Sequence, residues 1–366
     1  MKRVVLIGAG HAHAQVLKDW ITDRPAGAEL WVVSPHALAP YSGMVPGWLA
    51  GYYRYEDICI DFAALAAAAG AHWVRDELVE LDPEQRRLTL ASRRVLDYDL
   101  LSLNVGSTLR PPPSTPAPLL ALRPLGELHL RWVPTLATLS RIAAVRPVTI
   151  TAIGGGAAGF EALLAVRHRI LQIQPRSTVH VTLVSAGVDL LPGLAPGAIE
   201  YGRRTLASLD ATVELGKRYD DAQRADSDLL LWATGAEAHD WQRASGLAVS
   251  EPGWIRIDRR LCSISHPEVY ATGDCAAWAQ PLPKAGVFAV RMGPVLSRNL
   301  QAAVSGQTPA AYTPQRRVLS LLATGNRRAI ASWGPWSAEG AWVWRWKDRI
   351  DRRFLKRFER PPFAAP

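Results

Sequence analysis

An α/β protein assembled from two copies of one strand–turn–helix unit is the fold class the sequence predicts, and three observations predict it. Val4–Ile7 is a continuous apolar run, mostly β-branched, that ends at Gly8-Ala9-Gly10 and leads into a helical stretch, His11–Trp20. The same order returns 146 positions later: Val148–Ile153 precedes Gly154-Gly155-Gly156-Ala157-Ala158-Gly159 and a helix from Phe160 to about Leu171. Each opening is followed by a further apolar strand, Leu30–Ser34 in the first copy and Val179–Ser185 in the second. Strands that alternate with helices build parallel sheets.

The remaining elements follow in chain order. Asp61–Ala69 reads as a helix. Pieces within His72–Leu81, Arg87–Leu90 and Leu100–Asn104 read as a small antiparallel meander that feeds back to the sheet. Arg110–Pro118, with three consecutive prolines, is a linker, and a helical stretch then runs to about Val145. Asp228–Ala236 repeats the order of Tyr98–Ser107, an acidic residue, a buried strand and a glycine turn, and Val269–Asp274 is a strand ending in Gly-Asp. Gly293-Pro294 opens a helix with Pro294 in its first turn, where the missing N–H costs nothing.

At 366 residues with 48% hydrophobic and 20% charged residues, the chain is expected to form two domains and is no disordered polypeptide. Forty-two Lys+Arg against 33 Asp+Glu give +9. The basic residues crowd toward the C-terminus, so the surplus is read as local and no nucleic-acid partner is expected. Cys59, Cys262 and Cys275 are too few and too scattered for a disulfide framework, a redox dithiol or a zinc site. The apolar run before Gly8 is too short for a signal peptide, and Phe62–Trp73 is too short to span a bilayer. A cytoplasmic protein is expected, soluble or peripheral on the inner face of the membrane.

The glycine turns carry the first chemical expectation. The first glycine allows the bend, the second lets backbone approach a diphosphate, and the third packs helix on strand, while the helix N-terminus offers N–H groups and a positive dipole. Gly154, Gly156 and Gly159 fill all three places, whereas the first copy has Gly8 and Gly10 but His13 third. Ser34 and Ser185 stand where a carboxylate usually grips a ribose. His11 and His13, two residues apart on a helix, diverge, so no metal site is expected.

In this order the segments resemble the pyridine nucleotide-disulfide oxidoreductase superfamily, in its branch of type II NADH dehydrogenases and sulfide:quinone oxidoreductases. Gly8-Ala9-Gly10-His11-Ala12-His13, Pro40–Gly47, Pro283–Arg291 and Trp344–Asp348 are similar, more narrowly, to the flavoprotein module sometimes fused ahead of selenide, water dikinase. The resemblance covers nearly the whole chain, and with no kinase-like extension the chain reads as a stand-alone version. It implies two Rossmann-like dinucleotide-binding domains: a discontinuous FAD domain at 1–115 and 255–308, an inserted NAD(P)H-binding domain at 147–250, and a C-terminal region at 309–366.

By the same resemblance, FAD is expected against Gly8, Gly10, His11, Ala12, Ser34, Gly106, Gly273 and Asp274, with Tyr41, Met44 and Pro46 beside its ring. NADH or NADPH is expected at Gly154, Gly156, Gly159 and Gly235. Lys284 is expected to set positive charge near the flavin, or else to be an ordinary solvated lysine. Glu161 is expected close to the nicotinamide, or else to be a carboxylate that any helix N-terminus favours. The resemblance leaves the electron acceptor unidentified. A Cys-x4-Cys is absent, and Val287 and Arg291 stand where the quinone-reducing members carry glutamines.

Three functions stay open: an FAD-dependent NAD(P)H oxidoreductase reducing an acceptor such as a quinone, a flavoprotein directed at sulfur or selenium compounds, and a non-catalytic flavin or nucleotide sensor. Finally, residues 341–360 carry eight basic and three acidic residues, and Trp342, Trp346, Ile350, Phe354 and Phe358 recur every fourth position. That stripe is expected to pack on the FAD domain or a second subunit, or to lie on an anionic membrane.

Overall fold

The computed structural model describes all residues except 114, 116, 221–225 and 360–366. Two five-stranded parallel sheets organise the chain. In the first, the strands run in the order Val269–Ala271, Leu100–Leu103, Lys2–Ile7, Ala28–Val33, His72–Val74. In the second the order is Leu119–Ala121, Leu229–Trp232, Val148–Ile153, Val179–Ser185, Thr212–Leu215. In both, the strand that opens the unit lies at the centre, and its glycine turn therefore sits at the carboxyl end of the sheet between helix and neighbouring strand. These strands read as continuous apolar runs because helices cover the sheets; Val4, Val5 and Leu6 are fully buried, as are Ile150 and Ala152.

The helices start where the sequence places its glycines. His11–Thr22 begins directly after Gly10 and Ala157–Ile173 directly after Gly156. Phe62–Ala68 is capped by the Asp61 carboxylate, which accepts the Ala64 N–H at 2.8 Å.

Four expectations are corrected. His72–Leu81 divides: His72–Val74 joins the first sheet in parallel, and only Leu78–Asp82 enters the antiparallel meander with Arg87–Leu90 and Val95–Asp97. Leu100–Leu103 is a central strand of the parallel sheet. Leu119–Ala121, expected within a linker-and-helix stretch, is an edge strand of the second sheet, ahead of the expected boundary at 147. The helix expected from Pro294 begins at Gly286 and runs to Ser305 with Pro294 inside it, so the turn facing the sheet end is Gly286, not Pro294.

The C-terminal region is an antiparallel sheet of Leu319–Ala323, Ala329–Trp333 and Trp336–Gly340, followed by the helix Ala341–Leu355. The fourth-residue stripe on this helix splits. Each four-residue step turns about 400°, so the stripe drifts about 40° per step and wraps around the helix. Trp342 and Ile350 are exposed, whereas Phe354 and Phe358 are buried. The buried face instead carries Val343, Lys347, Asp351 and Phe354. No helix among the described residues is long and apolar enough to cross a membrane.

Candidate functional site

A cavity of about 270 Å³ opens at the carboxyl end of the first sheet. Its floor is the first glycine turn, Gly8, Gly10 and His11. One end is walled by Ser34, His36, Glu77 and Trp241, the other by Ser42, Asp274, Gly286 and Ala289.

The turn is held by close contacts that leave no room for side chains. Gly8 has φ +97°, and a Cβ there would lie 2.6 Å from the Asn104 carbonyl oxygen. Asn104, buried at the end of Leu100–Leu103, accepts the Ala12 N–H at Oδ1 (3.1 Å) and donates from Nδ2 to the Thr272 carbonyl (2.8 Å). One amide thus ties the turn to two strands. His13 completes the brace: a carbonyl can only accept, so Nδ1–H donates to Gly8 O (2.7 Å) and Nε2 accepts from the Ser102 hydroxyl (2.8 Å). Burial pushes both His11 and His13 down to about 4, so both are neutral.

Asp274 lines the cavity under a cationic partner that sequence reading missed. Arg123 Nη1 lies 2.6 Å from its Oδ2, and the Ser107 hydroxyl donates to the same oxygen at 3.2 Å. Arg123 follows a three-residue strand too short to leave a pattern, and only its charge in an apolar stretch marked it. Asn104, Ser107, His36, Gly286 and Ala289 were likewise not among the expected site residues.

The other expected residues divide by position. Gly106 lines the cavity, and Gly273 lines a small adjoining one shared with Asp274. Ser34 lines it too, but its hydroxyl donates to the His36 carbonyl at 3.2 Å. Ala12, Met44 and Pro46 are buried behind the wall. Lys284 is committed elsewhere: its ammonium donates to the carbonyls of Asp274 (2.8 Å) and Ala276 (2.7 Å) and sits 3.9 Å from the Trp254 ring centroid. Desolvation holds its pKa below the ordinary lysine range.

Gly154, Gly156 and Gly159 form the second turn. A Cβ on Gly159 would lie 2.1 Å from the Gly154 carbonyl oxygen, and one on Gly154 2.2 Å from that of Ala233, whereas Gly156 and Gly235 have no neighbour within 4 Å. Two of the glycines are thus required by packing, and Gly156 leaves the mouth of the turn open.

Tyr41 is half-buried between Pro40 and Ser42, both of which line the cavity. Its ring meets His11 edge-on at 5.4 Å and Phe354 at 4.5 Å. Burial, with the nearby Asp351 carboxylate adding to it, holds its hydroxyl un-ionised. Asp351 pairs with Lys347 at 2.7 Å, and Lys347 also donates to the Gly43 carbonyl. Glu161, expected in the first turn of the second unit's helix, is instead its fifth residue, because the helix begins at Ala157 and not at Phe160; it accepts the Ala323 N–H at 2.7 Å, and desolvation pushes it up to about 7. The three thiols are free and pushed up, Cys59 to about 12 and Cys262 and Cys275 to about 11, so none is a thiolate near neutrality.

Comparison with known proteins adds a sequence match and a fold match. The family described as pyridine nucleotide-disulphide oxidoreductase matches residues 2–293. A type II NADH:quinone oxidoreductase of Haemophilus influenzae is 27% identical over 177 residues, 42% of this chain and 40% of that protein. The ferredoxin–NAD(+) reductase component of the biphenyl dioxygenase system of Paraburkholderia xenovorans is 29% identical over 235 residues, 56% of this chain and 50% of that protein. The chain spans about half the length of the curated relatives it matches. Among solved structures, the sulfide:quinone oxidoreductase of Aquifex aeolicus superposes with a TM-score of 0.79 at 15% identity, covering 98% of this chain and 91% of that one. NDH2 of Plasmodium falciparum, solved with NADH, gives 0.74 at 13% identity over 98% and 99% of the two chains.

Proposed function

The chain belongs to the pyridine nucleotide-disulphide oxidoreductase family, and from that premise we propose that it is an FAD-dependent oxidoreductase oxidising NADH or NADPH and reducing a separate acceptor. The observation that carries this reading is the elongated cavity floored by Gly8 and Gly10, paired with a second, open glycine turn on a second parallel sheet. FAD, when bound, supplies the redox chemistry, taking up a hydride and releasing electrons.

The residues fit that group. The backbone of Gly8–Gly10 and the N-terminus of His11–Thr22 face a diphosphate. A bare Asp274 would repel it; the Arg123 guanidinium neutralises the carboxylate and leaves it free to accept hydroxyl groups. Ser34, His36 and Gly106, which line the cavity, would hold the adenosine side, and the N-terminus of Gly286–Ser305, at the other end, would favour negative charge on the ring. In this reading Ala12, Gly273, Met44 and Pro46 shape the wall from behind, and Lys284 braces the Asp274 backbone. Gly154, Gly156, Gly159 and Gly235 hold the nicotinamide nucleotide. The domains are 1–115 with 255–308 for FAD, 147–250 for the nicotinamide nucleotide, extended by the Leu119–Ala121 strand, and 309–366 as the C-terminal region.

Purified protein should be yellow, release FAD on denaturation, and bleach anaerobically with NADH or NADPH. Colourless protein that takes up no added FAD overturns the assignment; yellow protein indifferent to both nucleotides removes the nicotinamide arm. The high thiol pKa values give cysteine-based sulfur chemistry no support.

A peripheral position on the cytoplasmic membrane face is part of the proposal. Residues 309–366 hold twelve Lys+Arg against four Asp+Glu, eight of the chain's nine surplus positive charges. Trp333, Trp336 and Trp342 are exposed in the same region. Co-sedimentation with anionic but not neutral vesicles tests it, and a concentration-dependent dimer in solution would instead assign the face to a second copy.

A further inference from the structure

The cavity end that takes the adenosine in the flavin reading offers rings where a carboxylate is usual. Ser34, just past the second strand, is buried, and its hydroxyl donates to the His36 carbonyl at 3.2 Å, so the grip of a carboxylate on ribose hydroxyls is missing there. Asp76 is tied into its own turn, accepting the Glu77 N–H at 2.8 Å and the Ser92 hydroxyl, and Glu77 and Glu127 are exposed at the rim. What this end presents instead is the half-buried indole of Trp241, with His36 and His239 also lining the cavity. We propose that Trp241 is the adenosine clamp of the flavin seat, stacking on the adenine ring and so selecting a flavin that carries an adenosine over one that does not. The proposal rests on the reading of the cavity as a flavin site and names the residue that holds its far end.

Trp241 reaches the first unit's cavity from the second unit. The strand Leu229–Trp232 belongs to the second sheet, and Trp241 lies on the short helix Asp240–Ala244 that follows it. So short a helix has little stability of its own. It is fixed from both sides by ties to the first unit. Gln242, fully buried, accepts the His239 N–H at Oε1 (3.0 Å) and donates from Nε2 to the carbonyl of Cys275 (3.0 Å), the residue after Asp274. Upstream, Thr108 and Glu237 exchange backbone hydrogen bonds at 2.9 and 3.0 Å, and Arg110 pairs with Glu237 at 2.9 Å and with Asp240.

The chemistry of the indole suits this task. Trp241 has two side-chain torsions to freeze, and its neighbour His239 backs it with ring centroids 6.4 Å apart and planes 25° from parallel. Burial keeps that imidazole neutral, so it adds no charge beside the base. Stacking on a flat apolar face needs no ribose hydroxyl, which is how Ser34 can stand in the carboxylate's place without loss of the adenosine.

The test titrates the flavin-free full chain with FAD and runs ADP, or its dideoxyribose analogue, as competitor against FAD, so that the first seat alone is read. Trp241→Ala should weaken FAD and ADP by the same factor, about five- to one-hundred-fold, and Trp241→Phe, which keeps a stacking face, by much less. FAD-saturated variants should keep the wild-type visible spectrum, because the change lies far from the flavin ring. A loss below about five-fold in Trp241→Ala, an equal loss in Trp241→Phe, or a shifted flavin spectrum overturns the proposal. Wild-type protein gives a reading that does not depend on variant folding: the dideoxyribose analogue should compete within about five-fold of ADP, and a larger loss overturns the clamp in favour of a hydroxyl grip by the rim carboxylates. Protein that takes up no FAD at all defeats the flavin reading itself, a distinguishable failure.

Discussion

At the first glycine turn, a Cβ on Gly10 would lie 2.0 Å from Asn104 Oδ1, and that amide also takes the Ala12 N–H; at the second turn, Gly156 has no neighbour within 4 Å. The first turn is fixed by side chains, Asn104 and His13, each making two hydrogen bonds to neighbouring elements. The second has no side-chain hydrogen bond among those described and is fixed by packing, Gly154 against the Ala233 carbonyl, Gly159 against Gly154 and Gly155 against the Ser185 side chain. The same strand, bend and helix thus yield an enclosed, braced seat in one copy and an open one in the other. A rigid enclosed seat suits a ligand that stays, because little ordering remains to be done on binding, and an open mouth suits one that exchanges.

Substitution at the turns should break this contrast most severely. Gly8→Ala combines φ +97° with a backbone clash at 2.6 Å, and should cost on the order of 3 kcal/mol or more and yield flavin-free protein. Gly156→Ala meets nothing, so it should fold and keep flavin while weakening nicotinamide nucleotide binding, read by flavin content and by anaerobic titration. If both variants behave alike, the two seats are not distinct.

Asn104→Ala should come next. It orphans the Thr272 carbonyl and the Ala12 N–H, both in buried residues, for about 2–4 kcal/mol in denaturant unfolding. Loss of a comparable size is expected from Phe354→Ala, about 3 kcal/mol, since its ring packs on Tyr41 and His11.

Glu161 sharpens the comparison through pH. Its carboxyl titrates at about 7 in the folded chain against an ordinary 4.5. Below that window both states hold the proton; within it only the unfolded chain releases it, so stability falls as pH rises from about 4.5 to 7 and levels off above. Glu161→Gln should remove a decline of about 1–3 kcal/mol, leaving thermal stability unchanged near pH 4 and raised at pH 8. An unaltered pH slope would mean that the carboxylate is solvated. The smallest effect belongs to Trp342→Ala: the ring is 49% exposed, and stability should change by less than about 0.5 kcal/mol while vesicle binding falls.

Both glycine turns, their strands and the Gly-Asp strand end were legible because backbone geometry demands particular residues there: Gly8 and Gly154 at positive φ, Gly159 against a carbonyl oxygen. Leu119–Ala121 was not, since three residues beside a proline-rich stretch carry no periodicity. Arg123 gave no pattern either; only folding brings it to Asp274, 151 positions away. Lys347 and Asp351 have the i, i+4 spacing of a solvated helix pair, and nothing local distinguishes that from a buried one.

By itself the sequence determined the two parallel-sheet units and the places where backbone is able to approach a phosphate, because those depend on residues adjacent in the chain. Tertiary structure alone decided which turn is enclosed, what neutralises Asp274, and which face of the C-terminal helix is buried. Those outcomes depend on charges and volumes supplied by distant segments, and desolvation, which sets the chemistry of Glu161 and Asp351, exists only once the segments have met.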